Sequence, residues 1–462
     1  MFETDMLSVD SASSKDLYLD TISRSMLDFD FEKLCSVSLS NLNVYGCLVC
    51  GKYFQGRGKS SHAYFHSIHE DHHVFINLHT LKVYCLPDGY EVIDSSLNDI
   101  KYVLHPTFTK QQVIQLDKNL EYSYDLNSRK YLPGFVGLNN VKANDYINVV
   151  IQALVHIPPL RDFFILNDFN SSSELVRRFG LLTRKIWNPK AFKGQVSPHE
   201  LLQEISKSSE KKFKLTEQGD PIEFLSWFLN TLHRDLGGTR KRQSIITKIF
   251  QGMVRVETQS ILVKEDNDEP LVMDVDREIS TAISPFMFLT LDLPPPPLFQ
   301  DEVEKNIIPQ IPLSTLLGKY SGQRAQEVNG SAKRFHLLKL PRYVIFHIKR
   351  FTKNNWTLEK NPTIVNFPIR NIDLSELVDK NQTEVETLDG HYDLIANISH
   401  EGKPGVGQGS YKVHVRHRGK DQWFQIQDLI VEEIIPQMIF LSESFIQIWE
   451  RRPISKGKEK QV

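Results

Sequence analysis

The feature that most limits how this chain can fold is the placement of its four cysteines, Cys35, Cys47, Cys50 and Cys85, all within the first fifth of 462 residues. Cys47-Leu-Val-Cys50 sets two sulfurs on one tight turn, a spacing that lets both reach a single ion. His66 and His72 follow closely enough to complete a Cys2His2 tetrahedron, which has no open position for chemistry and acts by holding a fold together. One structural zinc ion is therefore expected on Cys47, Cys50, His66 and His72, with His73 as the alternative to His72. A small metal-organised domain over 31–105 follows, ending in strand-like text at 74–78 and 81–84. The same region spells His69-Glu70-Asp71-His72-His73, the His-Glu-x-x-His string of zinc proteases. That reading needs both histidines on one long helix beside an open metal position. Here the string runs straight into Val74-Phe75-Ile76, and the neighbouring cysteines account better for the histidines. Cysteines clustered in this way do not resemble a disulfide framework, and they point to a reducing compartment.

Composition divides the remainder. Residues 1–30 are rich in Ser, Asp and Thr and are expected to be a disordered tail; 106–130 is polar and reads as a linker. A large domain spans 131–452, and 453–462 is a basic tail expected to be disordered. Within the large domain helical text comes first. Residues 146–155 are nearly all apolar, and Phe224, Leu225, Phe228, Leu229 and Leu232 fall at helical spacing. Strand text comes later, with Met287, Leu289, Leu291 and Leu293 alternating and 343–348 continuously apolar. Helices followed by strands argue for an α+β fold. Pro294 to Pro297 read as a stiff surface linker. Lys and Arg total 55 against 57 acids, so no global field draws nucleic acid; any RNA contact is local, as at Thr239-Arg-Lys-Arg242. There is no run of about 18 apolar residues and no charged start followed by an apolar stretch, so the protein is expected to be neither secreted nor membrane-spanning.

The Cys/His text resembles the ubiquitin-binding zinc finger of the ubiquitin-protease family. That pattern has Cys-x-x-Cys, then Cys-Gly-Arg, then His-Ala-x-x-His and one more His; this chain reads Cys47-Leu-Val-Cys50, Gln55-Gly56-Arg57, His62-Ala-Tyr-Phe-His66 and His72. A further zinc site in the family would fall on Cys35, Ser38, Gln55 and His62. Ser38 and Gln55 are poor zinc ligands, so that site is expected to be empty. The resemblance places Arg57 where it would meet the carboxylate of a ubiquitin tail, a task that suits a guanidinium.

From Gly134 to Trp449 the chain resembles the ubiquitin-specific protease domain, which implies a papain-like fold of thumb, fingers and palm. Its first box, Gly-Leu-x-Asn then Leu-Gly-Asn-Thr-Cys-Tyr-x-Asn-Ser, appears as Gly137-Leu138-Asn139-Asn140 and Val141-Lys142-Ala143-Asn144-Asp145-Tyr146-Ile147-Asn148-Val149. The nucleophile position is thus Asp145, a weak substitute for a thiolate, expected instead to cap a helix for about 0.5–2 kcal/mol. The second box, Gln218-Gly219-Asp220-Pro221-Ile222-Glu223-Phe224, reads as packing. In the third, Gly-His-Tyr is Gly409-Ser410-Tyr411, and Trp-Tyr-x-Phe-Asp-Asp is Trp423-Phe424-Gln425-Ile426-Gln427-Asp428. Base and orienting acid become Ser410 and Gln427. Asn140 keeps the oxyanion position, and Asp428 matches the second acid of its pair. His414 lies about 13 Å along a strand from Ser410 and His417 falls on the opposite face, so neither replaces the base. The fingers region, 250–288, has no cysteine and so no zinc ribbon.

Together these departures are similar to the triad-less, splicing-associated members of the family. The matching text includes 47–57, 106–112 and 349–355. That likeness implies a nuclear, noncatalytic adaptor that supports pre-mRNA splicing by stabilising or assembling the tri-snRNP, with tri-snRNP proteins as partners. Weak binding of ubiquitin or a ubiquitin-like protein through Arg57, or an unorthodox deubiquitinase, are the alternatives.

Overall fold

The structure, a computed structural model, describes residues 18–118, 120–169, 172–263, 273–295, 308–328, 330–353, 358–379, 390–404 and 407–453. Residues 1–17 and 454–462 of the expected tails, and Pro296 and Pro297, lie outside the described residues. The chain forms two compact units: one of residues 1–106, 124–130 and 190–193, the other of 107–123, 131–189 and 194–462.

The smaller unit is built on an antiparallel sheet of β1 (Val44–Cys47), β2 (Tyr53–Gln55), β3 (Val74–Asn77), β4 (Val83–Cys85) and β5 (Glu91–Val92), in the order β2-β1-β3-β4-β5. Helix α1 (His62–His69) starts where the Ser61 hydroxyl accepts the Tyr64 N–H, an ordinary N-cap. Helix α2 (Asn98–Leu104) adds Ile100 and Leu104 to a core with Val44, Val74, Ile76 and Val83. Residues 18–30 differ from the disordered tail expected of them. Leu27 and Phe29 are 6% and 4% exposed in this core, and the Arg24 guanidinium pairs with Asp99. Two buried apolar side chains and a charge-assisted bond offset the entropy of ordering so short a polar stretch.

In the larger unit helices precede strands. Helix α3 (Lys110–Gln115) falls in the segment expected to be a linker and opens with a capping box between Thr109 and Gln112. Its continuation is tied down by Asp117, which takes a two-pronged bond from the buried Arg161 at 2.8 and 2.9 Å. Residues 107–123 therefore group with the larger unit and 124–130 with the smaller.

Helix α4 (Asp145–Val155) is buried along its whole length: its apolar residues lie on every face, and Asn148 and Gln152 are hydrogen-bonded within the fold. Around it lie α5 (Pro158–Leu166), α6 (Glu174–Ile186), α7 (His199–Ser208) and α8 (Pro221–Asp235). The last begins with Asp220 accepting the Ile222 N–H at 2.9 Å and Pro221 at the first helical position. No single described helix is long and apolar enough to cross a membrane, and the adjoining α4 and α5 are bent by 89°.

The palm sheet runs in the order Leu289–Asp292, Tyr343–Lys349, Ser444–Arg451, His391–Gly402, Gly409–His417, Gln422–Gln427, Ile430–Ile434, with Ile372–Asp373 pairing on His391–Gly402. Leu289 and Leu291 are buried while Asp292 is exposed, the period-two alternation read in the sequence. A second sheet pairs Gly252–Val263 with Met273–Phe286 and Ser331–Lys339, forming the fingers. The whole is α+β: a small finger unit and a thumb, fingers and palm.

Candidate functional site

In the finger unit, donor atoms of Cys47, Cys50, His66 and His72 all lie within 4.8 Å of one another. Cys47 closes β1, Cys50 sits on the turn before β2, His66 faces inward from α1 and His72 enters β3. Cys50 Sγ is 3.4 Å from His66 Nε2, and His66 Nε2 is 3.0 Å from His72 Nδ1. Bond lengths of about 2.0–2.3 Å to zinc put tetrahedral donors roughly 3.3–3.8 Å apart, so two thiols and two imidazoles gathered this closely fit such an ion. A hydrogen bond from Cys47 pulls the Cys50 thiol well below its ordinary range, helped by His72 and His66; the same bond, with burial, pushes Cys47 up.

His73 does not join them. Its Nδ1 is 2.7 Å from the Leu86 carbonyl and its Nε2 2.8 Å from the Asp71 carboxylate, so both nitrogens are occupied. The gathered donor group thus contains His72 and not His73. The local backbone also lacks the geometry of a zinc protease: α1 ends at His69, Glu70 is its C-cap, and Asp71 turns with φ 57° before His73. His69, Glu70 and His73 share no helix.

At the further finger site, the Ser38 hydroxyl donates to Gln55 Oε1 at 2.9 Å, and the Ser38 N–H reaches Cys35 Sγ at 3.4 Å. Hydrogen bonds thus join Cys35, Ser38 and Gln55, while His62 opens α1 and belongs to no metal-capable group among the described residues. Arg57 is exposed, its guanidinium carbon 4.3 Å from the centroid of Tyr84 and one N–H 3.3 Å from the Gly89 carbonyl. Stacking leaves its remaining donors open to solvent.

In the larger unit, the three positions matched to nucleophile, base and orienter come from α4 and the two strands Gly409–His417 and Gln422–Gln427. Asp145 is the first residue of α4, but it does not cap the helix as expected. Asn144 is the N-cap residue, its Oδ1 accepting the Val141 N–H at 2.8 Å. The Asp145 carboxylate, 6% exposed, spans the cleft: Oδ2 accepts from Gln218 Nε2 at 2.7 Å and from the Tyr411 backbone N–H at 3.1 Å. Its Oδ1 is buried with no partner. Burial raises its pKa, and the Tyr411 and Gln218 bonds only partly oppose this.

Gln218 also donates to the Gly409 carbonyl at 3.1 Å and accepts the Gly407 N–H at 3.2 Å. It works in the cleft, which its reading as packing missed; its place beside Asp220 and the helix cap gave no sign of a partner almost two hundred residues away. Ser410 Oγ accepts from Gln427 Nε2 at 3.1 Å. Asn140 Nδ2 donates to Asp428 Oδ2 at 3.0 Å, while Asn148 Nδ2 donates to Asp428 Oδ1 at 3.2 Å. The amide that would face an oxyanion is already paired.

Among the described residues no imidazole is hydrogen-bonded to any of these groups. His414, 1% exposed, lies between Asn397 and Gln425 at 3.1 and 3.2 Å, and burial holds it down at about 4. His417 packs beside the Phe135 ring, centroids 5.4 Å apart. His400, which the motif text does not reveal, pairs with Tyr411 across the sheet; it too is buried and held at about 4. Where attack on a carbonyl needs thiolate, imidazole and carboxylate, this cleft offers a clamped carboxylate, a hydroxyl and an amide.

Comparison with known proteins agrees with this architecture. Residues 136–449 match the ubiquitin carboxyl-terminal hydrolase family, and residues 35–97 match the Zn-finger in ubiquitin-hydrolases and other proteins. The chain is 55% identical to human "Ubiquitin carboxyl-terminal hydrolase 39", over 94% of this chain and 80% of that protein. It is 53% identical to "Probable mRNA-splicing protein ubp10" of Schizosaccharomyces pombe, over 95% and 89%. It is 33% identical to "Pre-mRNA-splicing factor SAD1" of Saccharomyces cerevisiae, over 94% and 93%. The crystal structure of an essential yeast splicing factor superposes with TM-score 0.75 at 31% identity, over 94% of this chain and all of that one. A SAGA DUB module bound to monoubiquitin shares the fold at TM-score 0.52 and 18% identity, over 92% and 91% of the two chains. With its protease-type domain matched almost from end to end and its finger in place, the chain belongs to the ubiquitin carboxyl-terminal hydrolase family, alongside relatives named as splicing factors.

Proposed function

We propose that this protein is a noncatalytic adaptor that supports pre-mRNA splicing in the nucleus, helping to assemble or stabilise the tri-snRNP through contacts with its proteins. The observation that carries the reading is the cleft. Asp145 stands at the nucleophile position and is spent on Gln218 and the Tyr411 N–H, while Ser410 and Gln427 bond each other. A fold that keeps its packing and fills its reaction centre with hydrogen bonds is suited to presenting surfaces. The names of its splicing relatives supply the setting. In this reading one zinc ion on Cys47, Cys50, His66 and His72 holds the finger together, and RNA contact is confined to exposed basic turns such as 240–242.

The test is complementation of a splicing extract depleted of the endogenous protein. Wild type and Asp145→Ala should restore splicing and tri-snRNP recovery equally; rescue by wild type alone would point to chemistry at Asp145. A second reading is favoured by one observation, the exposed Arg57 stacked on Tyr84. It makes the finger a reader of a ubiquitin or ubiquitin-like tail. Titration with ubiquitin should then show binding that disappears with Arg57→Ala and with ubiquitin lacking its terminal glycines.

A further inference from the structure

The palm sheet ends on one side at the strand Ile430–Ile434, which pairs only with Gln422–Gln427. Its outward N–H and C=O groups have no partner among the described residues. An open row of such groups is a template for one more strand. Apolar side chains crowd the same edge. Leu429 and Ile430 stand at its start, Ile435 follows it, and Met438 and Leu441 lie on and just after the short helix Gln437–Phe440; all five are 44–72% exposed. Glu432 and Glu433 occupy the centre of the strand. Both are exposed, and neither carries an ion pair among the described residues; Glu433 accepts one hydrogen bond, from Gln422 at 2.8 Å. Residues 430–435 thus read as two apolar residues, two glutamates and two apolar residues.

That order decides between occupants. Opposed side chains in an antiparallel pair share a face, so a second copy paired about the glutamates would set either Glu432 or Glu433 directly opposite itself. Like charges so placed repel, which bars the edge from joining its own copy. The same two charges turn away nucleic acid. A strand with Lys or Arg at its two central positions meets them instead, one on each face of the sheet, because neighbouring side chains alternate. Apolar residues on either side of that pair then cover Ile430 and Ile435.

We propose that the edge strand Ile430–Ile434 docks an extended segment of a partner protein, which adds to the palm sheet as a further strand and carries two basic residues flanked on both sides by apolar ones. Main-chain hydrogen bonds supply the attachment, and the two glutamates select the partner by charge. Pro436 has no N–H and closes the edge, so the segment pairs over about six residues. This gives the adaptor a surface for protein contact, yet strand addition requires nothing of the splicing setting. Its failure would leave the complementation of a depleted extract as a separate question.

The probe is a fluorescent peptide, Ser-Ile-Val-Lys-Lys-Val-Ile-Ser, titrated with the full chain by fluorescence polarisation. It should bind at least tenfold more tightly than the same peptide with Glu-Glu at its centre. N-methylation of every second residue should weaken it at least tenfold in one phase and little in the other, since only one row of its N–H groups faces the edge. Glu432→Lys/Glu433→Lys should reverse the preference, weakening the lysine peptide and admitting the glutamate one. Both positions are exposed, so this variant should keep the wild-type melting temperature. The proposal fails if the lysine peptide does not bind, if both N-methylated forms bind as well as the parent, or if the charge reversal changes nothing. It fails equally if the peptide binds only after residues 454–462 are removed, which would assign the edge to the chain's own basic tail.

Discussion

Asp145 is a structural joint in the cleft. Its Oδ2 collects donors from Gln218 and from the backbone of the strand carrying Ser410, while Oδ1 stays buried and unpaired. The consequence for stability has a definite sign. Burial raises the folded-state pKa above its ordinary value of 3.8, so the folded chain holds the proton more tightly than the unfolded one. The protonated form's advantage is full below the unfolded pKa and is lost as pH rises through the folded pKa. Asp145→Asn keeps an acceptor for both donors and has nothing to ionise. Its stability relative to wild type, followed by denaturant midpoints from acid to neutral pH, should therefore rise as pH rises. Asp145→Cys should not restore hydrolysis, because Ser410 and Gln427 supply no base to make a thiolate. That Asp145, Ser410 and Gln427 would lie in one cleft was expected from the motif text, and the folded chain brings the Asp145 carboxylate to the strand carrying Ser410, whose hydroxyl meets Gln427. The bonds Asp145 makes were not legible, because one donor, the Tyr411 N–H, sits on a strand 266 positions away, and the other, Gln218, is itself held against Gly407 and Gly409 next to that strand.

Among elements, the helices α4 and α8 and the strands Leu289–Asp292 and Tyr343–Lys349 were legible because their apolar periods match the geometry they adopt. Residues 18–30 and 107–123 were not: polar text holds few apolar anchors, and Leu27, Phe29 and Asp117 act through distant partners. At Gly137 the requirement is one of space, since an added Cβ would come within 2.6–2.8 Å of the Leu429 backbone. Gly137→Ala should cost about 1–3 kcal/mol, read as a lower denaturant midpoint, because backbone cannot give way as a side chain can. In the finger, metal analysis should find one zinc per chain, since hydrogen bonds replace the further site at Ser38 and Gln55. Cys50→Ser should lose that ion and lower the melting temperature of the finger unit; two ions per chain would contradict the assignment.

Across the molecule, the larger unit buries His156, His400 and His414 and half-buries His347, each held at about 4 by loss of solvent against an ordinary 6.5. The unfolded chain takes up these protons first. The stability they contribute is full above pH 6.5 and is lost as pH falls through about 4, at most on the order of 3 kcal/mol for each. Unfolding of this unit should therefore become much easier between pH 6.5 and 4, and His414→Gln should flatten that slope. A fold kept intact by so many buried polar joints preserves the shape of a protease while its cleft is filled. The measurement that tests this most directly is turnover of a fluorogenic ubiquitin substrate by the zinc-loaded full-length chain at neutral pH. A rate no greater than that of buffer is expected; hydrolysis above buffer that vanishes in Asp145→Ala would mean that the cleft is catalytic.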